Sequence, residues 1–172
     1  MSGVAPLWWG LVCSALWLRV DAPLGPPSSY TVYSLNRRFY AFLDADQKKT
    51  TVFEVRKAAP SIRLWEMPGW FRVAVLSDDG EHLVVGFEGI NLLPLDYHQD
   101  QVMLWFYRRG KLLRTVTLGQ LVKDFGRLQR TASHYYWGRY LGFDGKNRYL
   151  VATVEGRTIA FDAATGQQAA VR

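Results

Sequence analysis

The sequence predicts an all-β fold of antiparallel, four-stranded repeats, about three in number, with one short helix. Three observations carry the prediction. Aromatic residues fill 15% of the 172 positions, and Gly 15 with Pro 7 supplies frequent turn punctuation, which favours many short strands over a few long helices. From Tyr30 onward, short runs of β-branched and aromatic residues alternate with turn residues. One strand–turn–strand pattern also recurs along the chain. Hydrophobic residues at 49% and charged residues at 21% exclude a disordered chain and a multi-span membrane protein. A single cysteine excludes a disulfide-stapled miniprotein.

The first element in chain order is the run Val4–Leu18, which carries no charge. It is too short to cross a bilayer comfortably, which takes about 20 residues. With Val20-Asp21-Ala22 behind it, the run matches a secretory signal over residues 1–22. No Lys or Arg precedes it, and Pro23 follows the expected cut. The other reading is an N-terminal strand or helix buried in the domain. Cys13, the one thiol, lies inside this leader, so the cleaved protein would carry none into an oxidising compartment. Removing residues 1–22 takes away Arg19 and Asp21 and leaves the net charge at +6. The expectation is export to the periplasm, cell envelope or medium, with no transmembrane span left after the signal is removed. Residues 23–29 (PLGPPSS) read as an extended linker, and residues 30–172 as the β-repeat domain.

Three groups of strands follow. Tyr30–Leu35, Phe39–Asp44, Thr50–Arg56 and Ile62–Glu66 form one, and Phe71–Ser77, His82–Phe87, Val102–Tyr107 and Leu112–Leu118 a second. Arg139–Phe143, Arg148–Val154, Arg157–Asp162 and a weak Gln167–Val171 form the third. Helical spacing is confined to Gly119–Arg130, where Gly126 limits the helix to one or two turns.

The run Trp70 to Val85 aligns without a gap to Trp137 to Ala152. Both read Trp-x-Arg, a strand, a Gly/Asp/Asn turn, then a strand with Leu-Val. The run from Tyr30 fits the same frame with Asn36 at its turn, but without Trp-x-Arg. Units of this kind cannot bury their own apolar faces and stack to do so. The segment Asp144-Gly-Lys-Asn-Arg-Tyr-Leu-Val-Ala-Thr-Val to Asp162-Ala-Ala-Thr-Gly resembles one blade of a WD40-like or YVTN-type β-propeller, and Ser77-Asp-Asp-Gly-Glu-His-Leu-Val-Val resembles a second blade opening. As a whole the chain resembles exported bacterial proteins whose family carries no assigned chemistry, so the resemblance implies a blade and not an activity. Closed propellers take at least four blades, and the two Trp-x-Arg copies stand 67 residues apart, against about 40–45 for a common blade. The surplus lies in Glu88–Asp100 and Gly119–Ser133. The expectation is an incomplete propeller or open meander with those segments over an edge or open side, the alternative being an antiparallel sandwich.

Candidate chemistry is sparse. Asp96, His98 and Asp100 alternate in one loop and could converge on a divalent metal, the basis for a secreted metal-dependent or hydrolase-like enzyme as the alternative function. The plain reading is a solvated turn. His82, His98 and His134 are the only histidines, and there is no G-x-S-x-G, H-E-x-x-H, G-x-G-x-x-G or P-loop signature. His82 is expected to be a half-exposed cross-strand neighbour. No cofactor is expected. Arg72 and Arg139 each follow a tryptophan (Trp70, Trp137) by two residues, which places both on one strand face. They are either a platform for an anionic or planar ligand or an internal stack with each Arg reaching a carboxylate such as Asp78 or Asp144. Recurrence in two repeats favours packing, and it makes both tryptophans, with Leu83 and Leu150, expected core residues. The basic turn Arg108-Arg109-Gly110-Lys111 with Arg114 comes without a nucleic-acid motif. The expected partner is another envelope protein or an anionic surface polymer, and not nucleic acid. The function this supports is an exported, non-enzymatic binding or scaffolding protein.

Overall fold

The computed structural model describes residues 24–170. The leader expected over residues 1–22 lies outside them. The first sheet is a meander of β1 (Tyr30–Tyr33), β2 (Phe39–Asp44), β3 (Lys49–Glu54) and β4 (Ile62–Pro68). The second takes β5 (Ala74–Leu76) and β6 (His82–Gly86), leaves the chain free to form β7 (Leu92–Pro94), and resumes with β8 (Val102–Arg108) and β9 (Lys111–Thr117). A one-turn helix α1 (Leu118–Leu121) and a 3-10 turn (Phe125–Arg127) lead to β10 (Gln129–Arg130) and β11 (His134–Tyr136). The last sheet is β12 (Gly138–Phe143), β13 (Arg148–Thr153), β14 (Thr158–Asp162) and β15 (Gln168–Ala169). Every strand pair is antiparallel. The fold is all-β, as the composition predicts.

The two surplus segments do more than cover an edge. β7 from one and β10 from the other both join through β11 into a separate three-stranded sheet. Leu93, Leu121, Val122 and Leu128 of these segments, with the adjoining Leu118, complete the core between the second and last sheets.

Side-chain alternation assigns the faces. On the first sheet, Phe39, Ala41, Leu43 and Val52 point inward and pack with Leu76, Leu83 and Val85 of the second. The opposite face of the second sheet, with Val84 and Phe106, packs with Tyr149, Val151 and Phe161 of the last. The second sheet is therefore covered on both sides, and β6 is buried at all five positions.

Turn chemistry sets the register of the repeat. Ser34 Oγ accepts the Phe39 N–H (3.1 Å) and donates to Asn36 Oδ1 (2.8 Å), which accepts the Arg38 N–H (2.9 Å). Ser77, 43 residues later, does the same: its Oγ accepts the His82 N–H (3.0 Å) and donates to Asp79 Oδ1, which accepts the Glu81 N–H (2.8 Å). In the last sheet Asp144 replaces the serine and its Oδ1 accepts the N–H groups of Lys146 and Arg148, both at 2.9 Å. That turn is one residue shorter. The gapless alignment therefore fails at the turn: Leu83 corresponds to Tyr149, both fully buried, while Leu150 faces outward and is only half-buried. The expectation that Leu150 is core is corrected.

α1 ends against Glu155. Its carboxylate accepts the N–H groups of Lys123 (3.0 Å) and Asp124 (2.7 Å), and Arg157 bonds both Glu155 and the Leu121 carbonyl (2.8 Å). The side chain is only 7% exposed. Burial pushes the Glu155 carboxyl up, but the Arg157 side chain and the two backbone donors outweigh burial and hold it below its ordinary 4.5.

Two outcomes follow from this packing. Trp137→Ala, at a fully buried site, should lower stability by about 3–5 kcal/mol and Leu83→Ala by about 2–5 kcal/mol. Leu150→Ala should lose only about 1 kcal/mol, all three read from denaturant midpoints. Because the folded Glu155 carboxyl titrates below the unfolded one, its stabilisation is whole above pH 4.5 and is lost as pH falls through the depressed folded value. Glu155→Gln should make the acid limb of a stability–pH curve shallower.

Candidate functional site

The chain between the first two sheets builds a cleft. Gly69, at φ +112°, turns the chain out of β4, and a Cβ there would stand 2.6 Å from the Phe71 ring. Thr50 Oγ1 donates to the Gly69 carbonyl (2.7 Å) and Tyr30 donates to that of Phe71 (2.6 Å), fixing Trp70, Phe71 and Arg72. Opposite them, Trp105 and Tyr107 alternate on β8, registered against Val85 and Leu83. With Gly86 and Glu88 these residues line a cleft of about 240 Å³.

Arg72 is its polar centre. The guanidinium lies 5.3 Å from the Trp70 ring centroid, and Nη2 donates to the Gly25 carbonyl (2.9 Å). Its Nε is buried and has no acceptor among the described residues. Trp70 donates through Nε1 to the Ser28 carbonyl (2.9 Å) and receives the Tyr30 ring edge-on at 6.2 Å. Burial pushes the Tyr30 hydroxyl up to about 12, with Arg72 pulling the other way. Burial also raises Tyr107. Both phenols are neutral at physiological pH, which leaves the Arg72 cation flanked by uncharged aromatics, with Glu88 exposed at the rim.

The structure separates the two Trp-x-Arg copies. Trp70 is half-buried and shares the cleft with Arg72, whereas Trp137 is fully buried and donates Nε1 to the Ile90 carbonyl (3.0 Å). Arg139 is exposed and lines a second, wider cleft of about 420 Å³ with Val73, Val75, Asn91 and Tyr140. The expected carboxylate partners are elsewhere: Asp78 accepts the Asn36 N–H (2.7 Å), and Asp144 is held by Arg148 (2.7 Å). Arg72 does cover its tryptophan, but it reaches a backbone carbonyl.

Asp96, His98 and Asp100 are all exposed, and among the described residues no three His, Cys, Asp or Glu side chains gather to hold a metal. Between them, Tyr97 stacks on Phe125 at 6.0 Å and meets Tyr135 edge-on at 5.5 Å, so the loop's anchor is aromatic. His82 is buried rather than half-exposed, because β6 is covered on both sides; its Nδ1 meets Asp79 Oδ2 at 2.9 Å. Ser77, Asp79 and His82 do come together, but the aspartate stands between the other two and Ser77 is fully buried. A serine that donates to an aspartate and shows no surface has no base to activate it and no access to substrate. The basic hairpin tip is partly neutralised, with Arg109 bonded to Glu81 at 3.1 Å. Among the described residues no helix is long and apolar enough to cross a membrane.

No protein-family model matches the chain, and no curated protein matches it. Of the cleft residues, sequence reasoning found Trp70 and Arg72 and missed the others, chiefly Phe71, Glu88, Trp105 and Tyr107. The alternation of Trp105 and Tyr107 along β8 was the available signal, since it places two large aromatics on one face. His98→Ala should leave the unfolding midpoint within about 0.5 kcal/mol of wild type, with or without added divalent metal; a metal-dependent stabilisation lost in this variant would restore the metal reading.

Proposed function

We propose that this chain is an exported, non-enzymatic binding module of propeller-like blades, and that the cleft between its first two sheets takes the ligand. The observation that carries the reading is the Arg72 guanidinium, held 5.3 Å from the Trp70 ring in an aromatic-walled cleft. Trp70, Phe71, Trp105 and Tyr107 supply apolar and aromatic wall around it. The matching chemistry is an anionic or acceptor group on a planar or apolar body. A volume of about 240 Å³ is smaller than the roughly 300 Å³ at which drug-sized pockets begin. One aromatic or acidic group of a partner in the cell envelope fits this volume better than a long polymer segment does. Export is supported by the apolar run Val4–Leu18 and by Val20-Asp21-Ala22, and the blade reading by the turn shared by Ser34 and Ser77 at a spacing of 43 residues.

Titration with anilinonaphthalene sulfonate, a planar aromatic anion, tests this reading. Wild type should enhance its fluorescence at one site. Arg72→Ala should weaken binding about tenfold, the equivalent of about 1.4 kcal/mol, with the near-UV circular dichroism unchanged. Arg139→Ala should bind as wild type does. Equal behaviour of the two variants would place the ligand elsewhere.

A further inference from the structure

Among the described residues two sheet faces have no covering sheet, and the two are of opposite kinds. In the second sheet, Leu76, Leu83 and Val85 form a face covered by the first sheet. The 43-residue spacing of the shared turn makes Tyr33, Tyr40 and Phe42 their counterparts on the first sheet. Those residues lie on the outer face of that sheet. Tyr33 is 57% exposed, and Tyr33, Tyr40 and Phe53 form a continuous aromatic row with centroids 5.6 and 4.9 Å apart. The other face of the second sheet, with Val84 and Gly86, is covered by the last sheet, and a Cβ on Gly86 would stand 2.8 Å from the Tyr140 ring. Its counterparts on the last sheet, allowing for the shorter turn, are Leu150 and Ala152, which point outward beside Gly142. One open face is therefore aromatic and bulky, and the other sets Leu150 and Ala152 among Gly142, Ala160, Thr158 and the cations Arg139 and Arg148.

We propose that a second copy of this chain covers both faces, the last sheet of each copy packing on the first sheet of the other to give a ring of six four-stranded sheets. The proposal rests on the blade reading and not on the identity of the cleft ligand. Three four-stranded sheets fall short of the four that the smallest closed propellers need, whereas six lie within the usual four to eight. Because the open faces differ, the contact is head to tail, and such contacts either close into rings or run on as filaments. Two copies close when each sheet turns by about 60° from the last, so that three steps make half a turn. The area is adequate. Four strands at a spacing of about 4.8 Å and about five residues long give a face of roughly 320 Å². The four faces buried in the two seams then total about 1,300 Å², within the range of stable interfaces.

Sedimentation equilibrium of the full chain tests the proposal. The expected mass is that of two chains. Tyr33→Lys and Ala152→Arg, each at an open position, should separately give monomers with wild-type far-UV circular dichroism, whose unfolding midpoints lose the concentration dependence of the two-chain wild type. Mixing these two variants should restore a weaker two-chain species, because one of the two seams then joins unaltered faces. A wild-type monomer would overturn the proposal, as would a mass that grows continuously with concentration. So would a two-chain species that Tyr33→Lys abolishes and Ala152→Arg leaves intact, since that pattern means aromatic face on aromatic face. Arg72→Ala should leave the mass unchanged, so failure of the ligand reading and failure of this one are read separately.

Discussion

Strand β6 is buried at all five of its positions, so the sheet that contains it needs cover on both sides. A half-exposed strand alternates apolar with polar residues, and β6 does not. This requirement places the first sheet against one face and the last sheet, with α1 and the small three-stranded sheet, against the other. It also draws His82 inside, where its ring needs a polar neighbour. Asp79 supplies one. Burial pushes the Asp79 carboxyl up, but bonds from Ser77, the Glu81 N–H and His82 outweigh it and hold the group below its ordinary range. The polar clamp at the head of the second sheet follows from burying a strand on both faces.

The second seam is held differently from the first. Between the first two sheets, polar bonds cross at several points: Trp65 Nε1 to the Gly80 carbonyl (2.8 Å), Asn36 to Asp78, and Tyr30 to the Phe71 carbonyl. Between the second and last sheets, Tyr140 serves as the hub. Its hydroxyl accepts the Phe87 N–H (2.8 Å) and donates to the Met103 carbonyl (2.9 Å), while its ring packs edge-on against Trp137 at 5.3 Å. Burial raises the Tyr140 hydroxyl well above the usual phenol range, with the Phe87 N–H pulling the other way. It therefore donates at any physiological pH.

Strand positions were legible in the sequence because β-branched and aromatic runs bounded by turn residues have few other uses. The register between repeats was legible only in part. Ser34 and Ser77 are related by hydrogen bonds that Asn36 and Asp79 complete, but a one-residue difference in turn length between Ser77 and Asp144 is invisible to a gapless comparison, and it reverses which face Leu150 occupies. The helical pattern of Gly119–Arg130 was real for one turn; beyond it, Glu155 takes the N–H groups of Lys123 and Asp124 and stops the helix. The small sheet could not be foreseen, because β7 and β10 are three and two residues long and pair only through β11. In the first Trp-x-Arg copy Arg72 covers Trp70, but it reaches the Gly25 carbonyl where a carboxylate was expected, and Trp70, expected in the core, is half-buried. The second copy diverges at Gly138, whose Cβ would lie 2.3 Å from the Ala152 carbonyl oxygen. Trp137 itself sits in the core between the second and last sheets.

The Ile90 carbonyl that receives the Trp137 indole belongs to a residue at φ +59°. A β-branched side chain is out of place in that region of backbone space, and holding it there costs on the order of 1–3 kcal/mol. Phe87 accepts the Ile90 N–H (3.0 Å) and Trp137 locks the other side, so the surrounding bonds hold the residue in place. Glu88 at one end of this turn borders the narrower cleft, and Ile90 and Asn91 border the wider one. Releasing the turn returns its stored strain and loosens one wall of each cleft at once. One strained turn therefore shapes a wall of both openings.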